Sequence, residues 1–425
     1  MRLNSAPHPK IRRMKYLWAL CAAFLFTAFL YGALNLRNGL WFDEAGSFSE
    51  GLAVIVIDNK YGYIDTTGRT VISPKFELSD PSSAKWDGAS AISFSGGLAV
   101  VVLNGKYGYV NKQGVIAISP QFDSARAFAD GLAWVSKNGR PGYINKQGEM
   151  VIQLDSLEFP LNFAQYVEKN LKAHDKSELT EAPKFPSVFA PSFSEGVAPL
   201  EQIDVDGYRT WGYIDKTGSV VIEAMFDHAR NFREGLAAIA PPAGAGKPTL
   251  WGFIDKFGNI AVEPQFNLVS HFSEGLAHCM MWDVNTDEFF TGDWTHIFIN
   301  QKGTVVIGPE FNGAGSYSDG LAWVKVGDKY GYIDKTGSVK IKPQFNGAGD
   351  FSEGLAKVNV GKPAHAWAEL LGESIGKWGY IDKTGKYIIE PKYHMARDFS
   401  EGLAAIQLNG KWGFIGADGR LLTKK

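Results

Sequence analysis

The sequence predicts an all-β fold built as a tandem array, and three observations carry that prediction. A Gly-Leu-Ala step, Gly-Val-Ala in one copy, returns nine times, its glycine falling at Gly51, Gly97, Gly131, Gly196, Gly235, Gly275, Gly320, Gly354 and Gly402. After it, apolar residues alternate with a period of two, as in Ala99, Val101, Leu103 and in Ala404, Ile406, Leu408. An aromatic-Gly-aromatic unit with an acidic turn follows, as in "KWGYIDKTG" from Lys377 and "KYGYIDKTG" from Lys329. The closest copies lie 34 residues apart (Gly97 to Gly131, Gly320 to Gly354), a period that marks a solenoid, a propeller or a repeat array. An open, twisted solenoid of nine three-stranded units is favoured over propeller-like closure. Propellers usually have about four to eight blades of four strands, and the first and last copies show no shared blade.

Before the array, residues 1–37 hold six basic residues (Arg2, Lys10, Arg12, Arg13, Lys15, Arg37) and no acidic ones. Leu17 to Leu34 is free of charge, and as a helix it would rise roughly 27 Å, close to the hydrocarbon thickness of a bilayer. The flanking positive charge predicts a cytoplasmic tail at 1–16 and a transmembrane anchor at 17–36. The array is then expected outside the inner (cytoplasmic) membrane, periplasmic or extracellular. The alternative is a cleaved secretory signal and a secreted array. The run is long for a signal core, and no Ala-x-Ala site follows it.

Each copy reads as three strands. The Gly-Leu-Ala strand places its alternating apolar residues on one face, assigned to the core, while the opposite face varies (Val100, Trp323, Lys357, Gln407). Asn104-Gly105 and Asn409-Gly410 suit a tight primed turn. The second strand is the aromatic motif itself. Asp382 to Gly385 then fits a turn with a left-handed glycine, and the aspartate is placed to bond amides ahead of it. The third strand buries Tyr387 and Ile389 and closes at Pro391, because proline lacks the ladder donor. Two aromatics six apart, as in Phe122/Phe128 and Tyr393/Phe399, predict a capped single helical turn as the connection to the next copy. Insertions fall at 76–93, 153–192, 240–250, 282–295 and 361–376, and Phe163–His174 and Ala364–Ile375 read as helical. The chain therefore divides into repeats 1–3 over 48–152, a partly helical insertion over 153–192, and repeats 4–9 over 193–425.

The Trp/Tyr-Gly-Tyr-Ile-Asp-x-x-Gly core with "FSEGLA" resembles the WG-repeat (KWG-repeat) family over about Phe48 to Leu422. That resemblance implies a β-rich repeat array with a binding or scaffold role, often at the cell envelope. It implies no reaction and no shared catalytic residue.

The residues themselves add no chemistry of their own. Net charge is −2, which gives no strong field for nucleic acid. Two cysteines, Cys21 and Cys279, build no disulfide framework. The eight histidines show no metal-ligand spacing, and "PPAGAGKPTL" from Pro241 lacks the glycine of a phosphate loop. No catalytic set is legible, so the expectation is a non-enzymatic protein without cofactor, metal or nucleotide, with an enzyme whose site is unrecognised as the weakest alternative. Asp65, Asp215, Asp255, Asp334 and Asp382 read as turn caps rather than cation ligands, and the glutamates before the repeat glycine read likewise. Trp134 and Trp323 occupy the variable position of the Gly-Leu-Ala strand and are the candidate binding residues. The expected partner is a protein or, alternatively, a cell-wall glycan that stacks on exposed rings.

Overall fold

The computed structural model describes residues 39–77, 92–154, 192–203, 208–243, 247–282, 294–361 and 376–423. The anchor at 17–36 and both segments read as helical lie outside them. Among the described residues, no helix is long and apolar enough to cross a membrane. The described residues are all-β, with nine antiparallel sheets in chain order over 44–77, 98–122, 124–153, 197–226, 228–266, 268–307, 313–345, 347–393 and 395–416. They are called blades 1–9 below.

Blade 8 shows the plan. A short strand (Gly347–Ser352), the Gly-Leu-Ala strand (Leu355–Val360), the aromatic strand (Lys377–Asp382) and an outer strand (Tyr387–Tyr393) pair in sequence. A blade thus has up to four strands, not three. The extra one is the connection expected to be a helical turn. Asn346 N donates to Asn359 O at 2.8 Å, so the chain enters the ladder as soon as it leaves the preceding blade. The buried edge of the Gly-Leu-Ala strand needs its donors and acceptors paired, and the connection supplies the partners.

Two further expectations are corrected. Leu98, Ala99, Val100, Val101 and Val102 are all buried, so in blade 2 the Gly-Leu-Ala strand has no solvent face. Each blade is packed on both sides by its neighbours, and such a strand reads as a continuous apolar run. The outer strand also does not end at proline. In blade 8, Trp378 pairs with Tyr393 and Tyr380 with Ile389, so the outer strand carries two extra residues between these pairs. Pro391 sits in that bulge, where no ladder donor is required.

The array closes. Phe42 N donates to Trp412 O at 2.8 Å and Trp412 N to Phe42 O at 2.9 Å. Ile415 bridges Leu421, and Leu422 N donates to Phe414 O at 2.8 Å. Blade 9 therefore completes its outer edge from both ends of the array, the segment around Phe42 and the segment around Leu421. The result is a nine-bladed β-propeller, which replaces the open solenoid. Closure buries Phe42, Phe48, Trp412 and Phe414, which an open array would leave on two terminal faces. The sequence signal was present: Phe42 and Phe48 are six apart, so the array begins inside an outer strand.

Candidate functional site

Three rings of contacts join the blades. In the first, the second aromatic of each motif meets the ring that precedes the next repeat turn. The pairs are Tyr63–Phe94, Tyr109–Phe128, Tyr143–Phe193, Tyr213–Phe232, Phe253–Phe272, Phe298–Tyr317, Tyr332–Phe351, Tyr380–Phe399 and, across the closure, Phe414–Phe48. Centroids lie 4.7–5.2 Å apart in tilted or edge-on geometry, which the ring quadrupole favours. Most of the tyrosines also donate a hydroxyl hydrogen bond to the neighbouring backbone, as Tyr380 does to Arg397 O at 2.7 Å. Burial pushes these phenols well up in pKa.

In the second ring, the serine of "FSEG" donates to the backbone of the next blade. Ser318 Oγ reaches Phe351 O at 2.6 Å, and Ser400 Oγ reaches Phe48 O at 2.7 Å across the closure. These bonds link successive short strands directly. Radially arranged sheets come closest at their inner edges, so the short strands form the inner edge and the proline-bearing strands the outer.

In the third ring, the acid of the repeat turn clasps the turn of the next blade. Glu353 takes Glu401 N at 2.6 Å and Gly402 N at 2.8 Å, and Glu401 takes Gly51 N at 2.8 Å. Each such acid sits at positive φ, from 51° at Asp130 to 55° at Glu401, followed by a glycine at positive φ, which is the backbone of a type I′ hairpin turn. A side-chain residue in that region is strained, and the clasp gives it a compensating bond. Burial raises the Glu50 carboxyl pKa, but hydrogen bonds from Lys112, Gly97 and Gly96 outweigh this and hold it below the usual value. The glutamates are therefore inter-blade clasps, not caps of their own turns. The aspartates do cap their own turns: Asp382 Oδ1 accepts Thr384 N at 2.9 Å and Lys386 N at 3.1 Å.

The model of the WG containing repeat matches residues 42–61, 61–81, 84–107, 107–140, 142–155, 211–240, 251–277, 298–330, 330–362 and 378–412, more than half of the chain. The chain belongs to the WG-repeat family. No curated protein matches it. Among solved structures, a eukaryotic initiation factor is similar with a TM-score of 0.52 at 11% identity, over 89% of this chain and 94% of that one. That likeness concerns the fold alone. The β-propeller domain of the Trilobed protease from Pyrococcus furiosus reaches a TM-score of 0.34 at 10% identity, over 76% of this chain and 96% of that one. The Dos1 propeller reaches 0.37 at 10%, over 88% and 92%.

The two candidate tryptophans of this WG-repeat propeller lie in blades 3 and 7, at the same strand position but not together. Both are half-buried. Trp134 lies under the guanidinium of Arg126, 5.5 Å from the ring. In blades 5 and 9 the equivalent arginines, Arg230 and Arg397, lie over the motif tryptophans Trp251 and Trp412. Blade 3 has Pro141 at the motif position, so Trp134 supplies the ring that Pro141 lacks. Its Nε1 meets no acceptor among the described residues. Trp323 packs over Gly315 and Tyr330, and its indole donates to Asp350 of the next blade. Arg230 and Arg397 face Ala238 and Ala405, while Gly315 and Gly349 face Trp323 and Lys357. In these four blades a large residue on one strand is thus matched by a small one on the other, whereas in blade 3 Arg126 faces Trp134.

The same strand position carries a feature that the sequence reading missed. His278 in blade 6 stacks on His296, with ring planes 6° apart and Nε2 2.8 Å from Nδ1. Both are buried, and burial with His296 alongside pushes His278 down to about 4. Aligning the copies would have exposed the pair, since His278 matches Lys357 and His296 matches Trp378. No group of three or more His, Cys, Asp or Glu residues placed to hold a metal occurs among the described residues.

The two rims of the ring differ. Repeat turns and "DKTG" turns lie at one rim, because the start of the Gly-Leu-Ala strand pairs with the end of the aromatic strand (Leu355 with Asp382). The hairpins between those two strands, and the ends of the outer strands, lie at the other. The chain leaves the described residues after Glu77, Leu154, Ile203, Ala243, Trp282 and Gly361, and all these exits are at that second rim.

Proposed function

We propose that this protein is a non-enzymatic binding or scaffold propeller that receives a protein partner at its hairpin rim. The observation that supports this most is the segregation of the insertions. Repeat proteins tend to place their per-repeat insertions on the binding face, and here four of the six insertions leave and re-enter the described residues at the hairpin rim, while the other two leave there and re-enter at Ile92 and Ser192 beside repeat turns. The basic tail at 1–16 and the apolar run at 17–36 support attachment to the inner membrane with the array outside the cytoplasm. A reporter fused after residue 425 tests this, and activity in the cytoplasm would refute it.

The binding reading is tested by replacing 283–293 and 362–375 with Asn-Gly turns like Asn104-Gly105, then crosslinking the full chain in native membranes. A reproducible partner is expected with the parent and lost with the shortened variant, while the melting temperature is retained. Recovery of monomer alone from the parent would sink the proposal, as would the same partner from both proteins. The second reading, a cell-wall glycan stacked on Trp134 and Trp323, has less support because both rings are engaged within the ring of blades. Loss of peptidoglycan pulldown in Trp134→Ala and Trp323→Ala would revive it.

A further inference from the structure

Eight of the nine blade junctions carry an acidic clasp, and the junction between blades 2 and 3 does not. Gly96 stands where the other copies have glutamate or aspartate, with φ of 64° in the same left-handed region. The donors that would receive the acid are nevertheless built. At the preceding junction, Glu50 accepts Gly96 N at 2.6 Å and Gly97 N at 2.9 Å, with Lys112 Nζ at 3.2 Å. Lys256 and Lys335, at the same turn position as Lys112, pair with Glu195 and Glu274. The matching set at the next junction is Asp130 N, Gly131 N and Lys146 Nζ.

That set is unspent. Asp130 and Gly131 hold the same turn backbone as their counterparts, with φ of 51° and 88°. Neither amide has an acceptor, and Lys146 has no ion pair among the described residues. Lys146 arches over Gly96, its Nζ 3.2 Å from where a Cβ would sit. The junction keeps its other links, because Ser95 Oγ reaches Phe128 O at 2.6 Å and Tyr109 meets Phe128. Two converging amides of a positive-φ turn and an ammonium form an anion-binding concavity. Here the chemistry of its ligand is known from eight internal examples, and each is a side-chain carboxylate.

We propose that the gap at Gly96 is a carboxylate-binding site, filled in trans by an acidic side chain of a protein partner against Asp130 N, Gly131 N and Lys146. The site is on the repeat-turn rim and does not depend on the reading of the hairpin rim given above.

Labelling aspartate carbonyls with 13C and glycine nitrogens with 15N in the full chain selects Asp-Gly pairs, of which the sequence has five. They include Asp130-Gly131 and Asp319-Gly320, and the latter turn is already clasped by Glu274. The probe is an acetylated, amidated glycine peptide with one internal glutamate, titrated at constant ionic strength. A second peptide, whose sole carboxylate is its C-terminus, distinguishes a side-chain source from a chain end. Gly131 is expected to shift saturably with the first peptide, and Gly320 to stay still. Lys146→Gln should weaken the response severalfold. Gly96→Glu should abolish it with little change in melting temperature, because the ninth clasp is offset by the strain of a side-chain residue at positive φ. Overturning results are no shift at Gly131, an equal shift in Gly96→Glu, an equal response to sulfate, or a response only to the chain-end peptide.

Discussion

Blades 6 and 8 follow one plan and differ at one glycine. In blade 8, a Cβ on Gly379 would lie 2.5 Å from Ile389 O and 2.6 Å from Pro391 N. The bulged outer strand crosses there, and it continues to Tyr393. In blade 6 the equivalent residue is Ile297. The outer strand, Val305–Ile307, pairs only through Phe298–Ile307 and Ile299–Val305, and the ladder stops before Phe311. Phe311 is still buried, so the ring is kept while the strand is lost. The comparison teaches that the motif glycine makes room for a neighbouring backbone, and that the aromatics around it pack independently.

The sharpest way to break the contrast is to give blade 8 the residue class of blade 6. Gly379→Val should cost about 3 kcal/mol or more in urea unfolding, because backbone cannot yield as a side-chain end can. It should also remove hydrogen-exchange protection from Lys392 and Tyr393 alone; a loss below about 1 kcal/mol would refute this account. Next in size is a pH effect confined to blade 6. His278 is neutral in the fold and has a lowered pKa of about 4, so the unfolded chain binds its proton first as pH falls. Its contribution is complete above about pH 6.5 and is lost towards pH 4, roughly 3 kcal/mol for that shift. Replacing His278 with Ala and His296 with Trp, the pair found in blade 5 as Ala238 and Trp251, should flatten that part of the stability profile. An unchanged slope would show that the pair does not titrate in this way.

Smaller effects concern the junctions that both blades share. Tyr380→Phe removes the hydroxyl bond to Arg397 O and should cost about 1 kcal/mol, read as a shift in urea midpoint. Blade 6 already has Phe298 there, so Phe298→Leu would instead test the ring contact. Glu353→Gly should be nearly neutral, within about 1 kcal/mol, because loss of an exposed clasp is offset by relief of positive φ. Glu353→Ala keeps the strain without the clasp and should be worse than Gly. If the two variants melt alike, the strain argument fails.

Much of the blade could be read from the sequence. Period, strand content and the acidic turn at Asp382 follow from local patterns of apolar residues, glycine and aspartate. Ring closure was harder, because Phe42 and Trp412 belong to different copies and only the six-residue spacing to Phe48 linked them. The connection was misread as helical because its short strand has too few residues for a period to show. The role of Glu353 was hidden for a different reason: its partners, the amides of Glu401 and Gly402, are backbone groups one repeat away. Trp134 looked distinctive beside its strand neighbours, and only Pro141, seven residues on, explains it.

The shared outer edge of blade 9 changes how the molecule should come apart. A linear stack frays from its terminal repeats, and its exchange rates grade from the ends to the middle. Here the first and last copies are clasped to each other by Ser400, Glu401 and the Phe414–Phe48 contact, as any two neighbours are. There is no outermost repeat to lose first. Opening must begin at the junction with the fewest links, wherever it falls in the chain, and the amides of blades 1 and 9 should be as slow to exchange as those of blade 5.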